Sequence, residues 1–131
     1  MKTLNLKSRQ RCELIDITDQ VRAAVTESGV MTGLVLVCTP HTTGAVTINE
    51  NADPDVVTDL LAGLDRIAPL RNDYRHAEGN SAAHIKSSLL GAGESLIVAD
   101  GQPVLGTWQG IFFCEFDGPR SRKVQVRVVA A

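Results

Sequence analysis

The only three imidazoles in this 131-residue chain are His41, His76 and His84. None stands in an apolar run, so none is an obvious core histidine. Neutral imidazole is a common ligand for zinc and related ions. Their spacing fits no H-x-x-x-H or H-E-x-x-H pattern, which would place two ligands on one helix face. Taken singly, each also reads as a surface histidine. A metal site would need the fold to bring three separate segments together.

Two further segments carry candidate chemistry. In "EGNSAAHIKSS", residues 78–88, Gly79 and Asn80 lead into a short helix. The free N–H groups of such a helix start suit a phosphate or carboxylate. Asn80 and Ser81 are therefore candidate phosphate ligands, or else an ordinary helix cap. In "GTWQGIFFCEFDGPR", residues 106–120, alternation puts Phe112, Cys114 and Phe116 on one strand face and Ile111, Phe113 and Glu115 on the other. A carboxylate among large apolar groups is either at a rim or buried with a partner. Arg120 and Arg122 are the candidate partners, so Glu115 is either half of a structural ion pair or a catalytic acid. Glu50 and Asn51 stand where a strand ends and a helix begins. They form a polar turn, or a base and its neighbour.

The elements that must position these groups follow from periodicity and punctuation. "TLNLKSRQRCELIDIT" reads as two strands with a polar turn near Ser8–Arg11. Thr18 is placed to cap a helix over 19–28, ending at Gly29. "GLVLVC" is continuously apolar and predicts a strand buried on both faces. "TTGAVTIN" is expected to pair with it across a Thr39–His41 turn. Asp53-Pro54 is a helix start, and Val56, Val57, Leu60, Leu61 and Leu64 form its apolar stripe. Residues 65–80 read as a long loop, of the kind that often carries function. A helix over 81–90 is expected to bury Ala82, Ile85 and Leu89 and to stop at Gly91. Three strands follow: "SLIVAD", a segment from Val104 through Trp108 to Phe116, and "RKVQVRVV" after the turn in "FDGPRS". The order is mostly β with three helices and no regular βαβ alternation. It predicts one α+β domain, an antiparallel β-sandwich-like core with helices packed on it.

Composition narrows the function classes. The net charge is −2, with acids and bases interspersed, which argues against a nucleic-acid partner. No apolar run has the length of a membrane helix, and the N-terminal residues contain no signal-length apolar block. A soluble, cytoplasmic protein without a membrane partner is the expectation. Cys12, Cys38 and Cys114 are too far apart for C-x-x-C chemistry and read as small buried hydrophobes. Trp108 reads as a core or interface residue.

Three blocks together resemble one family. "PHTTGAVTINENADPDV", "HAEGNSAAHIKSSLLG" and "GTWQGIFFCEFDGPRSRKV" are similar to the signature blocks of the YjbQ-like proteins, also described as secondary thiamine-phosphate synthases. The resemblance implies an α+β fold with a β-sandwich core, assembled as a homotrimer. It implies a site near the subunit boundary where His41, His76 and His84 hold a divalent metal, zinc first and magnesium second. It makes Glu50, Asn51, Lys86, Ser87, Glu115 and Arg120 further site candidates. The implied activity joins a pyrimidine methyl diphosphate to a thiazole phosphate and releases pyrophosphate, either as the main reaction or as a side activity. That chemistry needs a cation for the leaving group and donors for phosphate oxygens. The alternative function is a non-catalytic trimeric module that binds a metabolite or a metal. A third reading makes the polar segments no more than a trimer interface.

Overall fold

Eight strands divide into two antiparallel sheets, and three helices pack on them. The computed structural model describes residues 1–131. In chain order the elements are β1 (Lys2–Lys7), β2 (Glu13–Asp16), α1 (Thr18–Ser28), β3 (Gly33–Cys38), β4 (Gly44–Glu50), α2 (Pro54–Ile67), α3 (Ser81–Leu90), β5 (Gly93–Ala99), β6 (Gln102–Pro103), β7 (Gln109–Glu115) and β8 (Ser121–Ala130). The larger sheet runs β1-β8-β3-β5-β6 and the smaller β2-β7-β4. The α+β class and the sandwich-like core are as expected. No helix is long and apolar enough to cross a membrane.

The main core lies between the sheets. Val35, Val37, Val98, Val124 and Val126 from the larger sheet meet Val46, Ile111 and Phe113 from the smaller one, with Val21 and Val25 of α1. The far face of the smaller sheet is covered too. Ala45, Cys114 and Phe116 pack with Ala83 of α3 and with Leu61 and Leu64 of α2. Both faces of β7 are therefore buried, and the alternation expected from its sequence holds.

The expected hairpin between β3 and β4 does not form. β3 pairs with β5 and β8, whereas β4 pairs with β7. The residues between them cross from one sheet to the other. The Thr39 N–H donates to the Ala92 carbonyl (2.8 Å) and the Thr39 hydroxyl to that of Lys123 (3.1 Å). These bonds hold the crossing in place of a hairpin ladder. β1 and β2 likewise separate, to β8 and β7.

β3 is not buried on both faces. Its residues alternate, with Val35 and Val37 inside and Leu34 and Leu36 outside. Leu34 stands opposite Ile97 on one side and Val129 on the other. The outer face of the larger sheet is therefore apolar and open, with Ile97 62 % exposed.

Helix ends and faces differ in detail from expectation. Asp53 does cap α2, accepting from the Asp55 N–H at 2.9 Å. Thr18 does not cap α1. It is the first helical residue, its N–H and hydroxyl both donate to Asp16 Oδ1, and its hydroxyl accepts from the Ile111 N–H. α2 runs on to Ile67, so the loop is 68–80. On α3 the buried residues are Ala82, Ala83, Lys86 and Ser87, while Ile85 and Leu89 face out. Two alanines let α3 sit close on β4, and Asp65 of α2 supplies a charge partner for the buried Lys86. Of the cysteines only Cys114 is buried; Cys38 is exposed and Cys12 half-buried. Trp108 is also exposed, which removes it from the core.

Candidate functional site

Three segments that are remote in sequence converge at one end of the smaller sheet. The first is the β3–β4 crossing, which carries His41, Thr42 and Thr43. The second is the end of the 68–80 loop and the first turn of α3, with His76, Glu78, Asn80 and His84. The third is the turn after β7, with Asp117 and Arg120. Together with Pro40 and Arg122 they line a polar cavity of about 420 Å³ with no hydrophobic residue in its wall. All three histidines thus face one cavity.

Hydrogen bonds fix each wall. Gly118 lets the third segment lie against the first turn of the chain: a Cβ there would stand 2.2 Å from the Gln10 carbonyl oxygen. Behind the cavity, Glu115 and Arg122 are fully buried partners. Arg122 Nε donates to Glu115 Oε1 (2.8 Å), and its Nη2 donates to Glu115 Oε2 (2.5 Å) and to Thr43 Oγ1 (2.8 Å). The Ser8 hydroxyl donates to Glu115 Oε1 (2.6 Å) and accepts from the Arg120 N–H (2.9 Å). Burial alone would push the Glu115 carboxyl up. Hydrogen bonds from Arg122, Ser8 and the Asp117 N–H outweigh it and hold the group below its ordinary range. Glu115 is thus the inner half of an ion pair behind the site, and its partner is Arg122 rather than Arg120.

Arg120 faces the cavity. Its Nε donates to the Asp117 carbonyl (2.8 Å) and its Nη2 to Asp117 Oδ2 (3.2 Å). Asn80 Nδ2 donates to the same carboxylate oxygen (2.9 Å), and Asn80 Oδ1 is buried without a partner. The two arginines of the lining are therefore matched by the carboxylates beside them.

The imidazoles are the remaining source of positive charge or of metal ligands. His76 and His84 stand edge to face with ring centroids 5.6 Å apart. His41 Nε2 accepts from the Lys123 N–H at 2.9 Å, so in the neutral ring Nδ1 carries the proton and is a donor. Burial, then the charge of Arg122, lowers the His41 pKa from 6.5, so its ring is neutral at pH 7. The donor types suit a divalent cation, but no three His, Cys, Asp or Glu side chains stand together as a metal-holding set. Two imidazoles are side by side; the third is held back by its bond to the β8 backbone.

The other sequence candidates lie elsewhere. Lys86 is buried against Asp65 and over the Phe116 ring, 5.9 Å from its centroid, and lines no part of the cavity. Ser81 lines none of it either. Ser87 lies in an adjoining chamber, beyond His41 and His84. Glu50 and Asn51 are at the opposite end of β4. Asn51 Nδ2 donates to Asp16 Oδ2 (3.3 Å), and Asn51 lines a separate polar cavity of about 470 Å³ with Asp16, Arg22 and Gln109. Sequence reasoning passed over Asp117, Thr42 and Thr43. Their signal was present in "FDGPR" and "PHTTG", where they read as turn residues.

Comparison with known proteins identifies the family. A family model described as "UPF0047 protein YjbQ-like" matches residues 2–131. The UPF0047 protein YugU of Bacillus subtilis is 51 % identical over 130 residues, covering 98 % of each chain. A UPF0047 protein of Methanocaldococcus jannaschii is 50 % identical over 124 residues, covering 95 % of this chain and 90 % of that one. Among solved structures, a Clostridium acetobutylicum protein described as uncharacterized superposes with a TM-score of 0.97 at 53 % identity, over 98 % of this chain and all of the other. A Sulfolobus solfataricus protein described as of unknown function gives 0.96 at 32 % identity, over 99 % of this chain and 96 % of its own. With the whole chain matched in sequence and in fold, this protein belongs to the YjbQ-like UPF0047 family.

Proposed function

We propose that this protein is a metal-assisted enzyme acting on a small phosphorylated substrate in the cavity of His41, His76 and His84. One observation carries the reading. Three imidazoles from two of the three segments line a wholly polar cavity whose arginines are already matched by carboxylates. A phosphate dianion entering it needs positive charge that the lining does not have in surplus. Protonated imidazoles or a bound cation are the two sources, and a lowered His41 pKa favours the cation. The residues that would hold it are His76 and His84; His41 would join them only on giving up the bond by which its Nε2 accepts from the Lys123 N–H. A divalent ion there, zinc first and magnesium second, would neutralise charge on a leaving phosphate or diphosphate.

The chain's own groups supply the rest. Arg120 has its Nη1 donors free to meet a phosphate oxygen, and Asp117 fixes the plane of its guanidinium. Asn80 Oδ1 accepts a hydrogen bond from a substrate N–H or O–H. By family resemblance the reaction is the joining of a pyrimidine methyl diphosphate to a thiazole phosphate, a transferase reaction that is either the main or a side activity. The open apolar face of Leu34, Leu36, Ile97 and Val129 supports assembly as a homotrimer. In such an assembly Glu50 and Asn51 serve a second place on the trimer.

Metal analysis of protein purified without a histidine tag tests the first part. Zinc should be bound or taken up, and His76→Ala and His84→Ala should abolish uptake. No bindable metal, with the variants behaving as the parent does, would remove the metal. Thiamine phosphate formation is then assayed beside His84→Ala; equal signal from both would remove that reaction. The second reading, a non-catalytic metabolite-binding module, is favoured by one feature: no imidazole here is hydrogen-bonded to a hydroxyl or thiol. Thermal stabilisation by phosphorylated metabolites without turnover would decide for it.

A further inference from the structure

On the other side of His41 and His84 lies a second chamber of about 560 Å³. Its wall beyond those two histidines is Thr42, Gly44, Ser87, Ser88, Gly91 and Ala92. The two chambers share His41, Thr42 and His84 as a common wall. Their chemistry is opposite. The first has two arginines and two carboxylates; apart from the shared histidines, the second has no ionisable side chain.

The second chamber is also rigid. The Gly91 carbonyl accepts from the Val46 N–H (3.2 Å) and that of Ala92 from the Thr39 N–H (2.8 Å), so the end of α3 is tied to both sheets. Gly91 has φ 97°, where a side chain would be strained, and a Cβ on it would meet nothing within 4 Å. Gly91 therefore leaves flat backbone along the slot, whereas the missing Cβ of Gly44 makes room for the Phe113 ring behind it.

One polar atom in this wall lacks a partner. Ser87 is 9 % exposed and its hydroxyl is buried without a hydrogen bond. A helical serine ordinarily has the carbonyl four residues earlier available to it, and this one makes no such bond. An unmet buried hydroxyl is unfavourable. Turning it toward the chamber about a single bond breaks no hydrogen bond, so a ligand acceptor placed there would be met at little cost.

We propose that the two chambers are one bipartite site: the first takes the phosphate, and the second takes an uncharged hydrogen-bonding ring of the same substrate, read by the Ser87 hydroxyl. This rests on the phosphate reading of the first chamber. It moves Ser87 from phosphate binding to ring recognition. Small neutral walls and flat backbone suit a planar heterocycle, and the missing charge excludes a second phosphate.

Three probes separate the claims by calorimetry with zinc present: inorganic phosphate, benzyl phosphate and a pyrimidinylmethyl phosphate. The parent should bind the pyrimidinylmethyl compound about tenfold more tightly than benzyl phosphate, the worth of one buried hydrogen bond. Ser87→Ala should erase that preference and leave inorganic phosphate binding unchanged. Its unliganded melting temperature should be unchanged or raised, because no bond is lost. Phosphate binding with no preference for the pyrimidine ring, or a preference that survives Ser87→Ala, overturns the two-chamber proposal and leaves the first chamber standing. No binding of phosphate at all overturns the first chamber and this proposal with it.

Discussion

Replacing Glu115 by glutamine separates a structural carboxylate from a catalytic one. Glu115 is fully buried, and so is Arg122, whose Nε and Nη2 both donate to it. A neutral amide in place of the carboxylate would leave a guanidinium charge inside the protein without a counter-charge. Breaking a buried pair from one side costs about 3–5 kcal/mol. Unfolding entropy near 2.1 cal/mol/K per residue makes 1 kcal/mol equivalent to about 3–4 °C in a chain of this length. Glu115→Gln should therefore lower the melting temperature by roughly 10–18 °C. Replacing both partners, Glu115→Leu with Arg122→Met, should recover part of this. Recovery stays incomplete because Ser8, Thr43 and the Asp117 N–H each lose a partner, at about 1 kcal/mol apiece.

The assay is calorimetric melting of parent, single and double variants, repeated from pH 7 down to pH 3. The Glu115 carboxyl is held below its ordinary 4.5 in the folded state. Its contribution is thus full above pH 4.5 and is lost as pH falls through the folded value. Glu115→Gln should flatten the acid side of the stability curve. A variant that melts within about 3 °C of the parent, less than 1 kcal/mol, but has lost turnover would refute the structural assignment and restore Glu115 as a catalytic acid.

Two further outcomes follow from the same geometry. His41 has a lowered pKa because burial, and then Arg122, disfavour its protonated form; its contribution is full above pH 6.5 and declines as pH falls through the folded value, so His41→Gln should flatten melting temperature against pH below 6.5. Ile97→Glu puts a charge in the middle of the open apolar face, opposite Leu34; under the proposed homotrimer, light scattering should give a trimer mass for the parent and a monomer mass for the variant while the circular dichroism is retained, and equal masses for the two would remove this face as the subunit contact.

What the sequence made legible was local and periodic. The β7 alternation, the Asp53-Pro54 helix start and the Gly91 stop all depend on neighbours within a few residues, and all stand in the structure. Pairing was misread where it depends on distant partners. Thr39–His41 has the look of a hairpin turn, yet Thr39 is bonded to Ala92 and Lys123, and no local rule anticipates those acceptors. The α3 face was misread because apolar Ile85 and Leu89 outrank Lys86 in any hydropathy pattern. Lys86 is inside only because Asp65, on another helix, meets it.

The candidate site divides along the same line. The histidines could be picked out by residue type, but two of the three walls of their cavity are joined by one buried ion pair. Arg122 holds Thr43 from behind, and Glu115 holds Ser8, whose hydroxyl accepts from the Arg120 backbone. The β3–β4 crossing and the turn after β7 are thereby joined at their backs while His41 and Arg120 face the cavity. Glu115 thus acts on the site from behind its lining, through Arg122, which is part of that lining. A residue with that role shares its block of sequence with the binding groups, and sequence offers no means of telling the two apart. Burial does: Glu115 is 0 % exposed and the Arg120 side chain 51 %. Substitution of either Glu115 or Arg122 should therefore lower affinity and stability together, whereas Arg120→Ala should lower affinity alone.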